Sequence, residues 1–145
     1  MTVLIQIVNS QLSDGETTEI TETVSGEYEF ADNEFALTYY GKEPIGGKTS
    51  VTFSGGDFIS VIRTESGFDT EMYFEKGKTR PCVYNTPYGE ILLETKTDII
   101  LSDFDENGGF TEFEYDLLSG GEVQSHNRMK ISFSEEKDVK VSQNG

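Results

Sequence analysis

With 145 residues, 26 % of them charged and 12 % aromatic, the chain is sized for one domain with a core of its own. Its 27 acidic and 11 basic residues leave a formal charge of −16, a field that repels phosphate backbones and anionic lipid and so disfavours nucleic-acid and membrane-surface roles. The single cysteine, Cys82, excludes an internal disulfide, and neither a signal-like leader nor a membrane-length apolar window is visible, so a soluble, acidic, cytoplasmic protein is expected.

Alternating short runs follow one another along the chain, with no helical periodicity between them. The first strand is expected over Thr2–Ser10, with a turn at Asp14-Gly15. Glu16–Val24 follows, and Ser25-Gly26 reads as a break before the alternation Glu27-Tyr28-Glu29-Phe30. After Ala31-Asp32-Asn33, the residues Phe35, Leu37 and Tyr39 share one face of a strand ending near Gly41, and Pro44–Gly47 reads as a loop. Lys48–Ser54 and Asp57–Thr64 flank Gly55-Gly56, a pair suited to a tight hairpin.

Phe68, Thr70, Met72 and Phe74 are expected to face inwards, against outward Asp69, Glu71, Tyr73 and Glu75. Lys76-Gly77-Lys78 turns the chain towards Arg80–Asn85. In Tyr84-Asn85-Thr86-Pro87-Tyr88-Gly89 the proline removes a donor, so the ladder should break there in a structural corner. Two tyrosines at a barrel mouth would be the functional use of the same segment. Gly89–Leu101 is the longest run, with Ile91, Leu93, Thr95, Thr97, Ile99 and Leu101 on one parity. Beyond the loop Asp103–Gly109, the inward set is Phe113, Tyr115 and Leu117, then Val123, Met129, Ile131 and Phe133 after the Gly120-Gly121 hairpin. Residues 1–134 form the domain and Glu135–Gly145 a polar C-terminal tail. The total is roughly eight to ten short-linked strands, the number that closes an all-β, antiparallel up-and-down barrel around a filled or ligand-sized interior. An open sandwich is the rival arrangement, disfavoured by the lack of long crossing connections.

Motifs for common chemistries are missing: no phosphate loop, no metal-ligand spacing, no CxxC and no nucleophile elbow. No cofactor or metal is expected. Asp103-Phe104-Asp105-Glu106-Asn107-Gly108 resembles a calcium loop only in composition, since the closing Glu is absent, and reads as a solvated acidic turn. His126 alternates with the inward residues Ser125 and Asn127 and should face solvent, away from any interior base role. Cys82 reads as a small buried thiol.

Arg63 shares parity with Ile59 and Val61 on a strand expected to be half buried. Such a guanidinium either anchors a carboxylate or phosphate inside the barrel or reaches solvent from the strand end. Arg80, by its parity with Cys82 and Tyr84, could join it. Tyr39, Arg63, Arg80, Tyr84 and Tyr115 are thus the candidate residues of a lumenal site.

Leu37-Thr38-Tyr39-Tyr40, Ile62-Arg63 with Ser66-Gly67, Met72, Phe74 and Gly77 form an ordered series with Tyr84, Tyr88-Gly89-Glu90, Leu101-Ser102-Asp103, Tyr115-Asp116 and His126-Asn127. In this order and spacing, over about Val3–Phe133, the chain resembles the small bacterial YwiB-like family, a domain of unknown function. The resemblance implies a calycin-type, lipocalin-like barrel and no assigned activity. In the family pattern Ser-Gly follows the arginine directly; here Thr64-Glu65 intervene, so a longer loop is expected after Arg63.

A barrel that binds a small amphipathic or anionic molecule is the leading functional expectation, with no catalytic residue assigned and enzymatic activity ranked last. A packed barrel working through an outer apolar patch around Leu92 and Tyr73 is the alternative. The sequence assigns no oligomeric state.

Overall fold

The computed structural model describes residues 1–41, 47–55, 57–65 and 67–136. Among them are ten strands and no helix: β1 (Thr2–Ser13), β2 (Glu16–Ala31), β3 (Glu34–Tyr40), β4 (Lys48–Ser54), β5 (Phe58–Glu65), β6 (Phe68–Glu75), β7 (Thr79–Thr86), β8 (Gly89–Asp105), β9 (Gly108–Ser119) and β10 (Glu122–Glu135). Each strand pairs antiparallel with the next, and β1 also pairs with β10, which closes the barrel. Closure satisfies the two edges that an open sheet of the same strands would leave bare. The up-and-down order follows from the turns. Asp14-Gly15, Asp32-Asn33 and Gly120-Gly121 have positive φ at both positions, the conformation whose twist matches two-residue hairpins.

One end of the barrel is solid. Phe35 lies at the centre of an aromatic plug, with ring centroids 4.8 Å from Phe104, 4.9 Å from Phe133 and 5.5 Å from Phe53. Tyr28 closes the same end by donating its hydroxyl to the Asp105 carbonyl at 2.6 Å. Above the plug, Phe74 packs 4.6 Å from both Phe113 and Tyr115, in the same core cluster as Ile59, Val51 and Ile5. These are inward positions on strands all round the barrel, which is why the plug draws on residues far apart in the chain.

Several local expectations are corrected by pairing. Ser25-Gly26 does not break the chain, because β2 runs unbroken from Glu16 to Ala31. Gly26 lies opposite both Val3 and Tyr39, and a Cβ on it would come within 2.5 Å of the Thr38 carbonyl and 2.7 Å of Ile5. The glycine marks a close crossing of three strands.

In β8 a bulge between Thr97 and Ile99 inserts one residue. Thr95 and Thr97 are buried as expected, but Ile100 then takes the inward place, and Ile99 and Leu101 are exposed. A one-residue slip reverses every later side chain. A second bulge, between Val123 and Ser125, leaves Val123 exposed while Ser125, Asn127 and Ile131 are buried.

The segment expected to be a corner is a hairpin instead. Thr86 pairs with Gly89 across Pro87-Tyr88, and the Thr86 hydroxyl accepts from the Tyr88 amide and donates to the Gly89 carbonyl. Tyr88 stands at its tip, 97 % exposed. Thr64 and Glu65 lengthen β5 rather than the loop after it. The acidic segment Asp103–Gly108 is the β8–β9 hairpin, in which Asp105 accepts the Asn107 amide at 2.7 Å. Most of the expected Pro44–Gly47 loop, one glycine of the Gly55-Gly56 pair and residues 137–145 of the tail lie outside the described residues; Glu135 still belongs to β10.

Candidate functional site

Opposite the aromatic plug the inward residues become smaller and more polar, and the barrel opens into a cavity of about 250 Å³. Tyr115, 6 % exposed, stands on its wall directly above the Phe74–Phe113 layer. Val61, Met72, Leu117 and Met129 give the wall its apolar part.

The polar groups come from two sides. β5, β6 and β7 bring Arg63, Thr70 and Tyr84; β1 and β10 bring Asn9, Gln11, Ser125 and Asn127. Register explains the second group: Gln11 lies opposite Asn127, and Asn9 opposite Met129.

Arg63 is about half exposed at the cavity mouth. Its Nε donates to the Thr49 hydroxyl at 3.3 Å, and Glu65 is 3.9 Å away on the same strand. The Nε contact orients the planar fork beside Tyr39. Arg63 is the one charged side chain among the described residues that line the cavity, and no carboxylate is among them.

Tyr84 donates to the Met72 sulfur at 3.8 Å, a weak contact that keeps the phenol against the wall. Burial pushes the Tyr84 phenol up to about 12, with Cys82 adding to the rise and Arg63 opposing it. Burial also raises Tyr115, with Tyr84 and Cys82 beside it. Both therefore present neutral hydroxyls, able to donate or accept, across the ordinary pH range. Asn127 donates to the Ser125 hydroxyl at 3.0 Å, which leaves its amide oxygen as an acceptor.

Of the five residues expected from strand parity, Arg63, Tyr84 and Tyr115 meet on the cavity wall. Tyr39 is buried behind them, beside Thr49 and Arg63; burial raises its phenol, and those two neighbours partly offset the rise. Arg80 departs from the expected lumenal place. Its guanidinium bonds Glu75 at 3.0 Å and lies 5.2 Å from the Phe58 ring and 6.0 Å from that of Tyr73. Phe58, Tyr73 and Glu75 have outward parity, so Arg80 serves the outer face. The physical reason is Pro81. The β6–β7 ladder stops at the Glu71–Val83 pair, and the Arg80 side chain reaches β6 beyond the point where the ladder ends.

Ser125 and Asn127 face inwards as expected but are not among the expected site residues; Asn9 and Gln11 are not among them either, although they share the odd-numbered parity of Ile5 and Ile7. His126 faces solvent as expected, paired to Asp116 at 2.5 Å.

The sequence matches the model of a domain of unknown function (DUF1934) over residues 5–131. It is 30 % identical over 128 residues to the uncharacterised β-barrel protein YwiB of Bacillus subtilis (strain 168), covering 87 % of this chain and 89 % of that protein. The crystal structure of the YwiB protein from Bacillus subtilis superposes with a TM-score of 0.81 at 26 % identity, over 94 % of this chain and 92 % of the other.

Proposed function

This chain belongs to the DUF1934 family of domains of unknown function, and from that premise we propose that its barrel binds a small amphipathic anion in the open-end cavity, without catalysis. The observation that carries this reading is the composition of the wall. In a chain with 27 acidic residues, the described lining holds no carboxylate and one guanidinium, Arg63. An apolar wall with a few convergent polar groups is what a small-molecule site requires. The volume of about 250 Å³ lies just below the usual range of roughly 300–1,000 Å³ and so suits a compact ligand. Lipocalins, which hold one small ligand in a barrel mouth, are a fold-level parallel only.

Binding would set the anionic group at Arg63 and the hydrocarbon part on Val61, Met72, Leu117 and Met129. The test is calorimetric titration of the protein with hexanoate and octanoate, beside the alcohols of the same length. The carboxylates are expected to bind and the alcohols to bind more weakly. Arg63→Gln should reduce carboxylate affinity by about tenfold or more, the scale of a lost hydrogen bond to a charged group. Its thermal stability should change little, because Arg63 is half exposed. Equal affinity in wild type and Arg63→Gln, or no binding of any carboxylate, would overturn the reading.

The alternative reading, a surface for a protein partner, draws on the exposed side chain of Leu92. Tyr73, expected beside it, is engaged by Phe58 and Arg80 instead.

A further inference from the structure

The two polar sides of the cavity differ in chemistry, and the barrel sets them face to face. In the ring order of strands, β10 lies five places from β5, and β1 lies five places from β6. Arg63 on β5 therefore faces Ser125 and Asn127 on β10, and Thr70 on β6 faces Asn9 and Gln11 on β1. The first wall supplies a fixed positive charge. The second supplies amides and a hydroxyl.

Asn9 gives the second wall its direction. It continues the inward series Val3, Ile5 and Ile7, and its Oδ1 is buried with no hydrogen-bond partner among the described residues. Buried polar atoms are almost always satisfied, and an acceptor held without a partner on a cavity wall asks for a donor from whatever occupies the cavity. The donor must be neutral. An ammonium group would be desolvated opposite amides, with no carboxylate in the described lining to pair it. The acid end must carry a single charge. One guanidinium, with Nε already given to Thr49, faces a chain whose net charge is −16, and a dianion would meet more repulsion than one arginine offsets.

We propose that the cavity selects a bifunctional ligand, a hydroxylated monocarboxylate whose acid group meets Arg63 on β5 and whose hydroxyl donates to Asn9 on β1. This rests on the binding reading above and adds the second recognition point. Affinities are measured by calorimetry for plain carboxylates, ω-hydroxycarboxylates and ω-aminocarboxylates of four to eight carbons, taken at matched length. At the length that spans the cavity, the hydroxy acid is expected to bind about tenfold more tightly than the plain acid, the scale of one satisfied buried hydrogen bond. The amino acid should show no such gain. In Asn9→Leu that advantage should vanish while plain-acid affinity is kept. In Asn9→Asp the preference should pass to the amino acid, which also guards against a folding defect in the leucine variant. Equal binding of plain and hydroxy acids at every length, or an advantage that survives Asn9→Leu, would overturn the inference while Arg63-dependent binding of plain acids still stood. Failure of the plain acids to bind through Arg63 would instead bring down the reading beneath it.

Discussion

Cys82 is fully buried on β7 beside Tyr84, and loss of water around it pushes the thiol up to about 11, a rise that a hydrogen bond with Tyr84 partly offsets. The thiolate is the reactive form, so this cysteine should resist thiol reagents until the barrel opens. The same shift carries a sign for stability. The folded state holds the proton more tightly than the unfolded chain, so the contribution is complete below the ordinary thiol value and is lost as pH rises through about 11. Denaturant titrations from pH 8 to pH 11 should show stability falling, and Cys82→Ala should flatten the part of that fall above pH 9. A wild-type curve that stays level, or native-state labelling as fast as that of a free thiol, would contradict the buried position. At this scale the sequence is informative about Cys82 and His126, because two-residue alternation assigns each a face. It misleads at Arg80, because Pro81 ends the neighbouring ladder and frees the side chain from its parity.

At the scale of strands, Gly26 and the β8 bulge decide how the sheet curves. Gly26 leaves no room for a methyl group between the Thr38 carbonyl and Ile5. Gly26→Ala should therefore destabilise the protein by about 1–3 kcal/mol, the ordinary cost of overpacking. Thermal or urea unfolding measures it; an unchanged midpoint would mean that β2 is not crossed so closely there. Read from the sequence, Gly26 looks like a strand breaker, since glycine in a strand usually weakens it. Its role depends on Val3 and Tyr39, its partners on two other strands. The bulge between Thr97 and Ile99 is hidden for the same reason. An alternating run continues through it unbroken, and only the partner strand shows that one residue is surplus. By contrast, the turns at Asp14-Gly15, Asp32-Asn33 and Gly120-Gly121 are legible, because their conformation is carried by the two residues themselves.

The whole chain carries a formal charge of −16, and many of its charged residues stand on outer strand positions and in the turns between described strands. Self-repulsion at that density destabilises the compact state and is screened by salt. Raising sodium chloride from 20 mM to 500 mM should raise the melting temperature by about 2–4 °C, equivalent to roughly 1 kcal/mol for a domain of this size. A flat or falling melting temperature would show that the charges are already balanced by local pairing. The same charge also bears on the cavity, because it sets Arg63 in a negative surround and disfavours a ligand with more than one negative charge.

The strand-after-strand pattern, the outward charges, the hairpin turns and the candidacy of Arg63, Tyr84 and Tyr115 were all determined by the sequence itself, since each follows from period-two alternation or from the φ angles a residue tolerates. The exact count of ten strands, the exchange of inward for outward residues after Asp98, the outer position of Arg80 and the placing of Asn9 and Arg63 on the wall of one cavity were decided only by the tertiary structure. These depend on register between strands as distant as β1 and β10. Register is a property of paired backbones, and no single stretch of chain carries it.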